Sequence, residues 1–335
     1  MKIIAYGVRK DEEPYFKQWE AAHPEVEVKE VANLLDDSTI DDAKDFDGVV
    51  AFQQKPYTAS ILDKLGSFGV KALSLRNVGV DNVDADALNK NHIKLSNVPA
   101  YSPSAIAEFA VTEMMRLLRN TKRYEDKGRH GNLTWAPEIA EEMNQQTVGV
   151  YATGRIGRQV VKIVQGFGAK VIAYDPYPNP ELKKEGIYVD TPAELYAKSD
   201  ILTLHAPALK ENDHMINDDT IAQMKPGIKI INCARGSLID TDALIRGLDS
   251  GKIAGAALDV YEDEVGIFNV DFGSFDKIPD ARLKNLMERD NVLVSPHIAF
   301  YTKVAVKNMV EISMTANANL IENGKSDVEV KIVKC

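Results

Sequence analysis

Short apolar runs alternate with helix-length polar segments along nearly the whole chain, and this alternation limits the possible folds more than any other feature. In the first hundred residues KIIAYG (2–7), VEVKEV (26–31), GVVAFQ (48–53), VKALSLR (70–76) and IKLSNVP (93–99) read as strands. Strands separated by helical segments predict a parallel sheet with helices on both faces. A long helix is expected from residue 103, with Ser102 as N-cap and Pro103 at its first position. Ile106, Phe109, Ala110, Met114, Leu117 and Leu118 then form one apolar stripe at helical spacing, which is read as core packing. Six further runs follow at 147–152, 170–175, 200–205, 228–233, 253–260 and 291–295. Six strands in two βαβαβ halves is the count of a dinucleotide-binding fold. A final helix over about 302–322 and a short tail close the chain. If that helix packs on the first repeat, the first domain is discontinuous, with crossings near 101 and 298.

The length of 335 residues favours two domains, because single cores stop growing near ~250–300 residues. A net charge of -10 argues against nucleic acid as a partner. It also means that an anionic substrate must be drawn by local arginines. The two cysteines, Cys233 and Cys335, cannot form a disulfide framework, which suits a reducing compartment. Cys233 lies within a strand run and reads as inert core. The opening MKIIAYGVRKDEE turns acidic too soon for a signal peptide, and no run approaches the ~20 apolar residues of a membrane span. A cytoplasmic location is the simplest expectation, with no membrane partner.

The turn after the run at 147–152 reads Ala152-Thr153-Gly154-Arg155-Ile156-Gly157. It matches the dinucleotide fingerprint G-x-G-x-x-G except for Ala152 at the first glycine. The second glycine lets backbone approach a pyrophosphate and the third allows close helix–strand packing. The first serves the tight turn, where an alanine adds modest strain. The next strand run ends in Asp175, 18 residues past Gly157, near the ~20 expected of a ribose-binding acid. A carboxylate there accepts from both ribose hydroxyls and repels a 2′-phosphate, so NAD is expected rather than NADP. Arg155 and Arg158 suit either the pyrophosphate or a solvated surface.

Three residues of the last third stand just past strand-like runs: Arg235 after IKIINCA, Glu264 after IAGAALDVYED and His297 after NVLVSP. Ligands of open α/β sheets bind outside the carboxyl ends of the strands. An arginine offers a fixed fork of donors to a carboxylate, and a histidine moves protons near neutral pH. A neighbouring carboxylate favours the charged imidazole. Taken singly, each residue could be a turn, a cap or a solvated charge; their joint placement points to one site. The reaction this suits is interconversion of a 2-oxo acid and a 2-hydroxy acid, with no metal expected.

With LSLRNVGVDN (73–82), NVPAYSPSAIAE (97–108), INCARGSLIDTDAL (231–244), ALDVYEDEVG (257–266) and SPHIAFYT (295–302), the chain resembles the D-2-hydroxyacid dehydrogenase family over essentially its full length. EVGIFN (264–269) and PDARL (279–283) resemble the branch that makes D-lactate in lactic acid bacteria. The resemblance implies an α/β chain of two doubly wound parallel-sheet domains. Residues 1–101 and 299–335 would form a flavodoxin-like substrate domain, and 102–298 a Rossmann NAD-binding domain. It implies that Arg235 binds the substrate carboxylate and carbonyl, that His297 is the acid–base and that Glu264 is its paired acid. Asp259 would support the site on the nicotinamide side. Val78 and Gly79 would grip the carboxylate through N–H groups, with Tyr101 facing the substrate. Cofactor contacts would fall on Gly154, Arg155, Ile156, Gly157, Asp175, His205, Ala206, Pro207, Cys233 and Ala234. A homodimer is implied too, with the nucleotide domains and the helix from 103 at its interface.

The chain departs from the family pattern at Ala152, at Arg155, where histidine is common, and at Phe52, where tyrosine is often seen. Phe52 and Phe300 would make an apolar wall. The expected reaction is therefore reduction of pyruvate by NADH, with tolerance for larger 2-oxo acids such as phenylpyruvate. A broad D-2-hydroxyisocaproate or phenyllactate activity is the alternative within the same chemistry, and a non-catalytic NAD sensor the alternative outside it. The intact Arg235, Glu264 and His297 argue against the sensor.

Overall fold

The computed structural model describes residues 1–332; Cys335 lies outside them. The chain divides into two compact units, one running from Met1 to Ser102 and resuming at Tyr301, the other spanning Pro103–Phe300.

In the first unit the five expected strands form as β1 (Lys2–Tyr6), β2 (Glu27–Val31), β3 (Gly48–Ala51), β4 (Ala72–Leu75) and β5 (Lys94–Ser96), all parallel. Their spatial order is β5-β4-β3-β1-β2, the flavodoxin-like arrangement. β1, β3 and β4 hold buried residues on both faces, apart from the first residue of β1, as a central parallel sheet requires. The helix Lys303–Asn323 covers one face. Thr302 caps its start by accepting from the Ala305 N–H, and Gly324 ends it in a left-handed conformation. Its Val310 and Met314 pack with Ile3, Ala5 and Val50. One polar side chain lies in that interface. Asn317 is fully buried and its amide donates to the carbonyls of Val49 and Ala72 and to the Ser74 hydroxyl. Gly48 makes room for it, since a Cβ there would stand 2.0 Å from the Asn317 Oδ1.

The second unit forms β6 (Thr147–Tyr151), β7 (Lys170–Tyr174), β8 (Ile201–Leu204), β9 (Ile228–Asn232), β10 (Ile253–Leu258) and β11 (Val292–Val294) in the order β7-β6-β8-β9-β10-β11. The six runs are the expected six, but their places differ from a plain six-strand count. The third position of a dinucleotide-binding sheet is taken by a single parallel bridge from Tyr188 to Ala173, outside β7. Ala173 donates to Ile187 and accepts from Val189 there. β11 is then a seventh member, beyond β10. In the first unit the tail adds β12 (Glu329–Val330), antiparallel to β5. The stripe on the helix Pro103–Leu118 is largely buried, as core packing requires, with only Phe109 half-exposed. None of the described helices is long and apolar enough to cross a membrane.

Candidate active and nucleotide site

In both units strand order reverses beside the first strand; the candidate residues follow strand ends on both sides of that reversal in the second unit, and the ends of β3 and β4, on one side of it, in the first. In the second unit these are the turn after β6 and the segment after β8. Ala152 has φ +69°, a left-handed conformation that costs an L-residue about 1–2 kcal/mol, so the strain expected from the missing glycine is present. A Cβ on Gly157 would stand 2.1 Å from the Ala152 carbonyl oxygen, so the helix Arg155–Gly166 can approach β6 only through a glycine. Gly154 has nothing within 4 Å of its would-be Cβ. It also offers no side-chain cap to the helix it starts, which leaves first-turn N–H groups for an anion.

Asp175 follows β7. Its Oδ2 accepts from the Thr153 N–H (2.6 Å) and hydroxyl (3.0 Å), and its Oδ1 from the Tyr177 N–H (2.8 Å). The Thr153 proton is thereby committed, so the 2.6 Å contact with Tyr188 has the tyrosine as donor; Tyr188 in turn accepts from the Asn179 N–H. This relay fixes the carboxylate while leaving acceptor capacity for ribose hydroxyls. After β8, His205 pairs Nε2 with the Thr203 hydroxyl, while its enclosed Nδ1 has no partner among the described residues. Burial lowers its pKa to about 4, so the ring is neutral. An open glycine cradle, an uncapped helix start, an anchored acid and an orphaned ring nitrogen fit a dinucleotide. Ala206 is buried beside His205 and Pro207 exposed. Cys233 is buried, which pushes its thiol well up, as an inert core residue requires.

Past β9, the Asn232 side chain accepts from the Ala234 N–H and donates to the Arg235 carbonyl. This asparagine, missed in the sequence, shapes the turn that carries Arg235. Gly236 is needed because a Cβ there would lie 2.1 Å from the Tyr261 backbone. Arg235 donates to the Ala234 carbonyl and has no ion-pair partner among the described residues, so its charge is available to an anion.

β10 ends at Leu258, earlier than its apolar run, and Asp259 turns the chain. Only 2% exposed, Asp259 accepts from the Ser295 hydroxyl (2.5 Å) and the N–H groups of Ile298 (2.9 Å) and Ala299 (2.8 Å). Its own carbonyl accepts from the His297 N–H at 2.7 Å. Burial raises its carboxyl pKa, against the pull of those donors and of His297. The turn holds His297 at φ +58°. His297 Nδ1 lies 2.7 Å from Glu264 Oε1, and Glu264 Oε2 accepts from the Tyr261 N–H. The other ring nitrogen, Nε2, has no partner among the described residues, and Phe300 meets the ring edge-on at 6.4 Å. Arg235, Glu264 and His297 thus stand on turns after β9, β10 and β11. No group of three or more His, Cys, Asp or Glu among the described residues could hold a metal ion.

In the first unit, Phe52 follows β3 and the Val78–Gly79 pair follows β4. Asn97 donates to the Val78 carbonyl and Asn77 to the Gly79 carbonyl, both at 2.6 Å. With both carbonyls held, the two N–H groups have no acceptor among the described residues, the state expected of a carboxylate grip. The two asparagines were not singled out in the sequence. The Tyr101 carbonyl accepts from Asn308.

The family model described as the D-isomer-specific 2-hydroxyacid dehydrogenase NAD-binding domain matches residues 111–299. A D-lactate/D-glycerate dehydrogenase of Pediococcus acidilactici is 58% identical over 331 residues, 99% of each chain. Among solved structures, a D-2-hydroxyisocaproate dehydrogenase superposes with TM-score 0.88 at 42% identity, covering 99% of this chain and 100% of that one. The NAD-complexed D-isomer-specific 2-hydroxyacid dehydrogenase of Lactobacillus delbrueckii subsp. bulgaricus gives TM-score 0.86 at 36% identity, covering 98% and 100%.

The two glycines separate packing from binding. Gly157→Ala should destabilise the fold by at least about 2 kcal/mol. Gly154→Ala should leave thermal unfolding unchanged yet weaken NADH binding at least ~10-fold; unchanged NADH affinity would place the pyrophosphate elsewhere. The neutral His205 has a second consequence. Its unfolded-state pKa is near 6.5 and its folded one about 4, so its contribution to stability is complete above pH 6.5 and declines as pH falls toward 4. Urea unfolding between pH 7 and 4.5 should show His205→Gln losing stability less steeply with acid than the wild type. Equal slopes would mean that the ring is not buried neutral.

Proposed function

Because the chain belongs to the D-isomer-specific 2-hydroxyacid dehydrogenase family, we propose that it is an NAD-dependent D-lactate dehydrogenase reducing pyruvate. The observation that carries this reading is the His297–Glu264 pair at 2.7 Å, with Arg235, which has no ion-pair partner among the described residues, on the turn after β9. NADH, when bound, would supply the hydride for reduction, and NAD would accept it in the reverse direction. The Arg235 fork binds the substrate carboxylate and the carbonyl. With Nδ1 held by Glu264, His297 gives the Nε2 proton to the carbonyl oxygen during reduction and takes it back during oxidation. Glu264 orients the ring for this step through its contact with Nδ1. The Val78 and Gly79 N–H groups hold the carboxylate, Tyr101 faces the substrate, and Phe52 and Phe300 line its side chain.

Under this reading the first unit is the substrate domain. The second binds NAD through the 152–157 turn, Asp175, the His205–Pro207 segment and the strand end at Cys233–Arg235. Two observations support a homodimer. The helix Thr121–Arg129 buries no side chain of its own, and Leu133, Trp135 and Ile139 just beyond it are 87%, 82% and 91% exposed, an apolar display that a second copy would cover. The site chemistry and the cysteine usage suit the cytoplasm.

NADH oxidation with pyruvate, 2-oxoisocaproate and phenylpyruvate, with the configuration of each product determined, tests the proposal. D-lactate should form with the highest kcat/KM. A D-product made best from a bulky acid would keep the chemistry and favour the hydroxyisocaproate reading. NADH binding without turnover would contradict both.

A further inference from the structure

Three charged residues of the first unit have no role in the site so far. Arg76 and Glu12 are both 0% exposed. A buried ion pair gains little net stability, since desolvation offsets the attraction, so its geometry is the more informative property. Arg76 directly precedes Asn77, Val78 and Gly79. Its Nε and Nη2 donate to the two Glu12 carboxylate oxygens at 3.0 and 3.3 Å. Its Nη1 donates to the Tyr6 carbonyl (3.1 Å) and its Nη2 also to that of Gly7 (2.8 Å). One guanidinium thereby ties the end of β4 to the end of β1.

Arg9 extends the network to β3. Its N–H donates to Glu12 Oε2 at 3.0 Å and its Nη2 lies 3.4 Å from Glu12 Oε1, while its Nε and Nη2 donate to the Asp11 carboxylate oxygens, both at 3.3 Å. Its guanidinium lies over the Phe52 ring, 5.0 Å from the centroid, and over the Tyr301 ring at 5.5 Å. Gly7 stands so close to Phe52 that a Cβ would meet its carbonyl oxygen at 2.6 Å. The ends of β1, β3 and β4 are therefore joined through one charge network, and two of them carry substrate-facing residues.

We infer that Arg9, anchored by Asp11 and by the Arg76-bound Glu12, is a specificity-determining positioning residue that fixes the Phe52 ring as the wall against the substrate side chain. The inference rests on the substrate role proposed for Phe52. A flat guanidinium stacks on a ring in a way that a lysine ammonium does not. Removing it takes away the face-on contact at 5.0 Å that holds the ring in this orientation, and the pocket then accepts a larger group.

Full-length Arg9→Leu, Arg9→Lys and wild type should be compared by steady-state kinetics with pyruvate and phenylpyruvate and by NADH titration. Because the Arg9 side chain is partly exposed, both variants should fold. In Arg9→Leu the ratio of kcat/KM for phenylpyruvate over pyruvate should rise at least ~5-fold, the scale of a cation–π contact. The change should come chiefly from KM, with NADH affinity unaltered. Arg9→Lys should fall between the two. An unchanged ratio in Arg9→Leu, or equal losses on both substrates through kcat, would overturn the inference while leaving the dehydrogenase reading intact. A wild type that reduces neither acid would remove both.

Discussion

The geometry around His297 depends on one buried carboxylate. Asp259 holds the Ser295–Ala299 turn through three donors to its side chain and one to its carbonyl. Those bonds hold His297 in a left-handed conformation that a free chain avoids at about 1–2 kcal/mol. They face its Nδ1 to Glu264 and leave Nε2 without a partner among the described residues. The cost of burying Asp259, visible in its raised carboxyl pKa, is offset, in the proposed mechanism, by fixing the His297 ring before substrate arrives.

The two sheets solve their ligand problem in the same way. In each, strand order reverses beside the first strand and the turns at that reversal must let backbone come close. Gly157 against Ala152 in one sheet and Gly7 against Phe52 in the other are sites where a Cβ would fall inside the van der Waals limit. Asparagines finish the turns: Asn232 shapes the Arg235 turn, and Asn77 and Asn97 draw carbonyls aside in the Val78–Gly79 loop. Side-chain amides suit this work because they mimic the backbone they bind.

Much of this was legible in the sequence because it follows a period. The eleven strand runs, the helix from Pro103 and the last helix show up as apolar alternation, and Arg235, Glu264 and His297 stand where strand ends put ligand residues. The unreadable parts depend on short or distant pairings. The Tyr188 bridge and the two-residue β12 are too brief to show a period. That Asp259 grips a turn almost forty residues away, and that Arg9 covers Phe52, depends on tertiary contact alone. Ala152 lies between these cases: the missing glycine was visible as a departure, but its positive φ needed the structure.

The most direct measurement is the kcat of full-length Asp259→Asn with pyruvate, alongside its NADH affinity. An amide can accept on one side only and sets its NH2 against the donors of the turn. If Asp259 holds His297 in place, kcat should fall at least ~100-fold, the scale of a lost general acid, while NADH binding changes little. A variant with wild-type kcat would contradict the account, because His297 would then keep its position without the carboxylate.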